Sequence, residues 1–377
     1  MLKQRKYVFG ARFLVVLVYM VLADGLPAVA SPAAERTPVP THKRAPAVTS
    51  GVPTFADSAK DDDASNDDPV VRQAAVTALG HYNGSVVAID PSSGRILSIV
   101  NQKLVFSTGF KPCSTIKPVI AVAALQEGLI TRDTRIPVTR GKSLNLSEAL
   151  AHSNNHFFEE LGTRMGFDVV SIYARLLGLG ELAGYDISEE QAGAVPGAPP
   201  KRGGVARMSS FGEGIQMTPL QLGALVSTVA NGGTLYYLQY PRTAEEKENF
   251  QPRVKRALEI QALLPDVRDG MLAAVVHGTA RRSYLEDGED ESGKTGTCSD
   301  YAGSRLGWFV SFAGQENRKI VLVILMRGNS KIVKGPMAAG VAGRIYRRLH
   351  AENYFAEQSP KAAEQPSNSV AAIPNAE

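Results

Sequence analysis

The apolar positions along this chain keep two different periods, and the changes between them outline its elements. VVRQAAVTAL (70–79) repeats at helical spacing. GSVVAID (84–90) and RILSIVN (95–101) are strand-like runs, and the PSSG between them is a hairpin signal. After Ser114, apolar residues at 119, 120, 122, 123 and 125 cover most of a helix circumference, which predicts a helix buried on all sides. From about 130 to 280 the pattern is mostly helical, as in SEALAHS, NHFFEELGTRMG, VSIYARLLG, TPLQLGALVSTVANGG and LPDVRDGMLAAVVHG. Strand spacing returns in GKTGTCS, GWFVSFAG and KIVLVILMRG, and PMAAGVAGRIYRRLHAENYF reads as a closing helix. Strands near both ends with helices between them predict an α+β fold: one sheet built from the chain termini plus a helical insertion.

The ends of the chain read differently. Lys3, Arg5, Lys6 and Arg12 precede the apolar FLVVLVYMVLA (13–23), and Ala28-Val29-Ala30 offers a cleavage site. Residues 1–30 are therefore predicted to be a signal peptide directing export, with an uncleaved membrane anchor as the alternative. Asp24 leaves the run short of the roughly 18–20 apolar residues that span a bilayer. Residues 31–68, rich in Pro, Ala, Ser and Asp without periodicity, are predicted to be a solvated, disordered linker. Residues 356–377 form a similar tail, which leaves a folded body over 69–355.

Charge changes the picture little. The 41 basic and 37 acidic side chains give +4, and loss of residues 1–30 leaves +1, so no nucleic-acid partner is implied. There is no C-x-x-C, no H-E-x-x-H and no histidine cluster, so neither a metal nor a cofactor is expected. The two cysteines, Cys113 and Cys298, would meet an oxidising compartment in an exported protein.

Candidate chemistry begins where turn residues give way to the buried helix, in GFKPCSTIKPVIAVAAL (109–125). Ser114 and Lys117 are three apart and share a helix face, so the amine is expected within reach of the hydroxyl. Pro118 places them in the first turn, where orphan N–H groups and the dipole favour developing negative charge. A lysine kept dry there has a depressed pKa and accepts the serine proton. An isolated S-x-x-K is weak, since roughly one match is expected by chance in a chain this long. Here it is followed by Ser153-Asn154-Asn155 and then by Lys294-Thr295-Gly296. The ordered set carries far more information than any one of the three.

With these triplets the chain resembles the transpeptidase domain of penicillin-binding proteins, a family within the penicillin-recognising serine enzymes that also include the serine β-lactamases. FKPCSTIKP is similar to the family's nucleophile segment, SVVAIDPSSGRILSIV to its opening hairpin, FGEGIQMTPLQLGALVSTVANGG to its later helix and loop, and HGTARRSY to the approach to its third motif. The resemblance implies an antiparallel sheet flanked by N- and C-terminal helices, with an inserted all-helical subdomain. It implies Ser114 as nucleophile and Lys117 as base. Ser153 would relay a proton to the leaving amine, Asn155 would fix Lys117 and the substrate amide, and Lys294 would hold Lys117 neutral by like-charge repulsion. Thr295 and Thr297 would meet the substrate carboxylate, Gly296 would let substrate lie along the edge strand, and the Ser114 and Thr297 N–H groups would form the oxyanion hole.

Cys113 stands where the family usually has a small residue, and the first two motifs lie close together, which implies a reduced helical subdomain. A Cys113–Cys298 disulfide is expected, similar in placement to that of some class A carbapenemases. The implied partners are peptidoglycan stem peptides, β-lactam antibiotics as covalent inhibitors, and proteins of cell-wall synthesis or division. The implied activity is peptidoglycan D,D-transpeptidation or D,D-carboxypeptidation. A serine β-lactamase and a non-catalytic penicillin-binding sensor or scaffold are the alternatives. The chain shows no E-x-x-L-N loop, and its second motif is S-N-N. His152, His156, Glu159, Glu160, Glu213 and Trp308 read as ordinary structural residues, with an approach to the cleft as the lesser reading for Glu213.

Overall fold

A computed structural model describes residues 51–286, 291–315 and 318–356. The signal-peptide reading, the first part of the linker and the tail beyond 356 lie outside these residues. In chain order the elements are α1 (Pro69–Leu79), β1 (Gly84–Asp90), β2 (Arg95–Val100), α2 (Gln102–Val105), a 3₁₀ turn (Cys113–Ile116) and α3 (Lys117–Gln126). Next come β3 (Ile136–Thr139), β4 (Lys142–Leu144), α4 (Leu146–Ala151), α5 (Asn155–Leu176), α6 (Gly204–Phe211) and α7 (Pro219–Asn231). They are followed by β5 (Thr234–Tyr236), α8 (Ala244–Glu248), β6 (Val254–Ala257), a short 3₁₀ turn (Gln261–Leu263) and α9 (Leu264–Val276). The chain closes with β7 (Ser292–Ser299), β8 (Arg305–Gln315), β9 (Arg318–Gly328) and α10 (Gly335–Ala351).

The main sheet has the order β2-β1-β9-β8-β7, antiparallel throughout, so the two ends of the body meet in it as expected. Alternation along its strands splits the apolar residues between two cores. Val87, Ile89, Trp308, Val310 and Val323 pack with α3 and α7, whereas Val86, Ala88, Phe309, Leu322 and Ile324 pack with α1 and α10. This two-sided burial is why KIVLVILM carries no polar alternation. β7 is an edge strand, paired only with β8 in the register Lys294↔Val310. Its free edge is the position a peptide strand would occupy.

Helix starts follow local chemistry. Asp68 caps α1 through the Val70 and Val71 N–H groups at 3.0 and 3.1 Å. Asn145 with Glu148, and Thr218 with Gln221, form capping boxes at α4 and α7. Asn154 takes the Phe157 N–H at 2.9 Å and starts α5, which kinks at Gly166, where φ is 80°.

The predicted linker is corrected over its last part. Residues 54–68 pack onto the body: Ser58 Oγ bonds the Tyr82 carbonyl at 2.9 Å, and Asp62 accepts the Asn101 and Gln102 N–H groups at 2.8 Å each. Asp67 is buried against Tyr240 and Ser98. Composition made this stretch look solvated because its acids serve as hydrogen-bond acceptors for the body, a role that leaves no periodic signature.

Candidate active site

The chain enters the site through Lys111 and Pro112. The buried Trp308 indole donates to the Lys111 carbonyl at 3.0 Å, and the Thr115 hydroxyl to the Pro112 carbonyl at 2.6 Å. Cys113 adopts a left-handed φ of 54°, uncommon outside glycine, and opens the 3₁₀ turn that holds Ser114. α3 itself starts one residue before Pro118, at Lys117, so the serine sits in the tighter turn ahead of the helix. Ser114 is buried, and no backbone acceptor among the described residues takes its N–H. Free N–H groups of this kind are what an oxyanion hole requires.

Lys117 has no exposed surface. Its Nζ donates to the Ser153 carbonyl at 2.6 Å, Asn155 Oδ1 at 2.7 Å and Ser153 Oγ at 3.1 Å. These three contacts use every donor of an ammonium, and the expected Ser114–Lys117 hydrogen bond is not formed. The amine meets the second motif, and contact with Ser114 requires one of these donors to be given up. Ser153 makes the meeting geometrically possible with a left-handed φ of 52°. Lys294, also without exposed surface, donates to Ser153 Oγ at 2.8 Å and to the Thr295 carbonyl at 2.9 Å. Lys117, Ser153, Asn155 and Lys294 are thus joined in one network, with Ser114 one helical turn from the amine.

Burial drives the electrostatics. Desolvation pulls Lys117 well below the usual lysine range, the neighbouring Lys294 adds to the effect, and Glu159 opposes it. Lys294 is itself lowered to about 7 by desolvation. Of the two causes read from the sequence for a neutral Lys117, burial ranks first and like-charge repulsion from Lys294 second. A neutral Lys117 has a lone pair, and the Ser153 hydroxyl, already accepting from Lys294, has its own proton to offer that lone pair or a leaving group.

The third motif is held against the nucleophile turn. Cys113 and Cys298 form a disulfide with a Cα–Cα distance of 5.6 Å, as the sequence led us to expect. Gly296 has a reason different from the expected one. A Cβ there would stand 3.0 Å from the Pro112 carbonyl oxygen and 3.1 Å from Thr115 Cγ2, so glycine makes room for the turn itself. Thr295 is buried and shares a 2.7 Å hydrogen bond with Thr279 Oγ1, while Thr297 is exposed and accepts the Gly335 N–H at 2.8 Å. The Thr297 hydroxyl keeps its proton for an anion.

Three features had no sequence motif of their own. Thr279, in HGTARRSY, supports Thr295. Glu213 forms a buried pair with Lys111 at 3.2 Å, just ahead of the nucleophile turn. Glu159, read as an ordinary helix residue, acts electrostatically on Lys117. His152 and His156 are exposed, Glu160 pairs with Arg164 along α5 at 2.8 Å, and Trp308 packs the sheet.

Comparison with known proteins agrees with this site. Residues 84–350 match the family described as penicillin binding protein transpeptidase domain, and the chain belongs to that family. It is 26% identical over 319 residues to stage V sporulation protein D of Bacillus subtilis, covering 71% of this chain and 49% of that protein. It is 23% identical over 349 residues to the peptidoglycan D,D-transpeptidase MrdA of Haemophilus influenzae, covering 70% and 53%. The chain thus spans about half the length of these curated relatives. Its fold is similar to that of the transpeptidase domain of Burkholderia pseudomallei penicillin-binding protein 3, with a TM-score of 0.65 at 21% identity over 79% of this chain and 97% of that one.

Proposed function

We propose that this protein is an exported serine acyltransferase, a peptidoglycan D,D-transpeptidase or D,D-carboxypeptidase that penicillin acylates at Ser114. The observation that carries the reading is the dry Lys117 amine, bonded to Ser153 and Asn155, with Lys294 on the same hydroxyl. Membership of the family and the kinship to a named D,D-transpeptidase support it.

In this reading Ser114 Oγ attacks the carbonyl carbon of the penultimate D-Ala while its proton passes to neutral Lys117. The Ser114 and Thr297 N–H groups receive the oxyanion, where one lost donor typically costs about 100- to 1000-fold in rate. Collapse of the tetrahedral centre breaks the amide C–N bond, and the leaving amine takes a proton through Ser153, resupplied from Lys117. The Thr297 hydroxyl and Lys294 offer donors and charge to the terminal carboxylate. An acceptor amine or water then attacks the ester and frees Ser114. Export rests on the leader read from residues 1–30, and no described helix is long and apolar enough to cross a membrane. Cell-wall synthesis or division proteins are the partners this reading implies.

The test is incubation with a fluorescent penicillin. Wild type is expected to retain a covalent label for hours, and Ser114→Ala none. Rapid label loss with antibiotic hydrolysis would instead indicate a β-lactamase, and an unlabelled wild type would refute the site.

A further inference from the structure

The reaction as derived leaves one carboxylate near the base without a task. Glu159 lies one helical turn beyond Asn155 on α5, on the face of that helix that meets Lys117. It is half-buried, its Oε1 accepts the Ser210 hydroxyl of α6 at 2.9 Å, and it forms no ion pair among the described residues. The Phe158 ring beside it lies 5.4 Å from Lys117 Nζ and keeps the region apolar. A hydroxyl that fixes one carboxylate oxygen, with no cation paired to it among the described residues, leaves the carboxylate one turn from Asn155, the residue that holds Lys117.

We propose that Glu159 is a positioning residue that sets the proton affinity of Lys117, and so the lowest pH at which Ser114 becomes acylable. The charged surroundings leave few competitors. From β7 Lys294 repels a proton on Lys117, and from α5 Glu159 attracts one. On α4, Glu148 is engaged by Arg135. On α9, Arg268 donates to the Val229 carbonyl. On α6, Arg207 is turned to Glu213. His152 and His277 stand exposed at the ends of α4 and α9. Desolvation and Lys294 both lower the basicity of Lys117, and proton transfer is most effective with a base poised near the working pH. Glu159 restores part of that basicity without touching substrate.

The functional consequence rests on the Ser114 acyl-enzyme reading, but the electrostatic claim has its own measurement. Lysine ¹³Cε NMR titration of the whole protein, with Lys117 assigned through Lys117→Arg, reads the protonation midpoint directly. Glu159→Gln keeps an oxygen for Ser210 and removes only the charge. Its Lys117 midpoint is expected to fall by about one pH unit. The acid limb of penicillin acylation should fall with it, and the melting temperature should stay unchanged. Glu159→Ala is expected to move the midpoint the same way, and Glu159→Asp to leave it near wild type. A midpoint that stays in place or rises in Glu159→Gln overturns the proposal. Failure of wild type to be acylated would refute the acylation reading alone, since the titration still decides the role of Glu159.

Discussion

Ser153 has two lysines on one hydroxyl, and this arrangement decides what a substitution there should do. With Lys294 donating at 2.8 Å and Lys117 at 3.1 Å, its oxygen is, among the described residues, the only side-chain atom common to both amines. Ser153→Ala keeps the backbone carbonyl that Lys117 also uses, so the fold should survive while the relay is lost. A general acid–base step is worth roughly 10²–10⁴-fold. Stopped-flow labelling with a chromogenic cephalosporin should show acylation slower by about 100-fold or more, with melting shifted by little. At this scale the sequence was most informative, because the candidate nucleophile, amines and amide lie in three short motifs whose order is their message. It was silent on Glu159 and Thr279, whose roles depend on which helix and turn happen to face them. It also overstated the Ser114–Lys117 contact, since spacing gives reach along one helix but not which acceptors compete for the amine.

Among the elements, the 3₁₀ turn and β7 behave as one unit. They come from opposite ends of the domain, 185 residues apart, and meet through the Cys113–Cys298 bond and the bare backbone of Gly296. Closing so long a loop constrains the unfolded chain, and a native disulfide typically contributes about 2–4 kcal/mol. Cys113→Ala with Cys298→Ala should therefore lower the unfolding free energy read from urea titration by an amount in that range. Acylation should weaken as well, because a non-glycine left-handed turn relies on its surroundings to hold it. Unchanged stability would mean that packing alone fixes the turn. Gly296→Val should be worse for activity than for stability, as it pushes the edge strand off Pro112. The long helices were legible from periodicity, and the central strands from their apolar runs. The β3–β4 and β5–β6 strand pairs were not, being three- and four-residue strands too short to establish a period.

Across the whole molecule, stability is given up where the chemistry sits, and pH reveals how much. Lys294 titrates near 7 when folded and near 10.4 when unfolded, so between those values only the unfolded chain holds the proton. Stability from this group therefore rises with pH from about 7 to 10, and at neutral pH its burial costs on the order of 4 kcal/mol before its hydrogen bonds are counted. Buried Glu291, behind β7, has the opposite slope. Its oxygens close no hydrogen bond of good geometry. Desolvation raises it to about 7, only partly offset by the Ser311 and Ser283 hydroxyls beside it. The folded state thus holds a proton that the unfolded chain releases above about 4.5, and stability falls as pH climbs from there to 7. Glu291→Gln should flatten that acid-side slope and leave penicillin labelling intact. Lys294→Met should do the reverse, raising the melting temperature at pH 7, losing that advantage by pH 10, and abolishing rapid acylation. Urea titrations at pH 5, 7 and 10 measure both slopes. A Lys294→Met variant that melts no higher than wild type at pH 7 would mean that burying this amine costs the fold nothing, and the slope assigned to Lys294 would go with it.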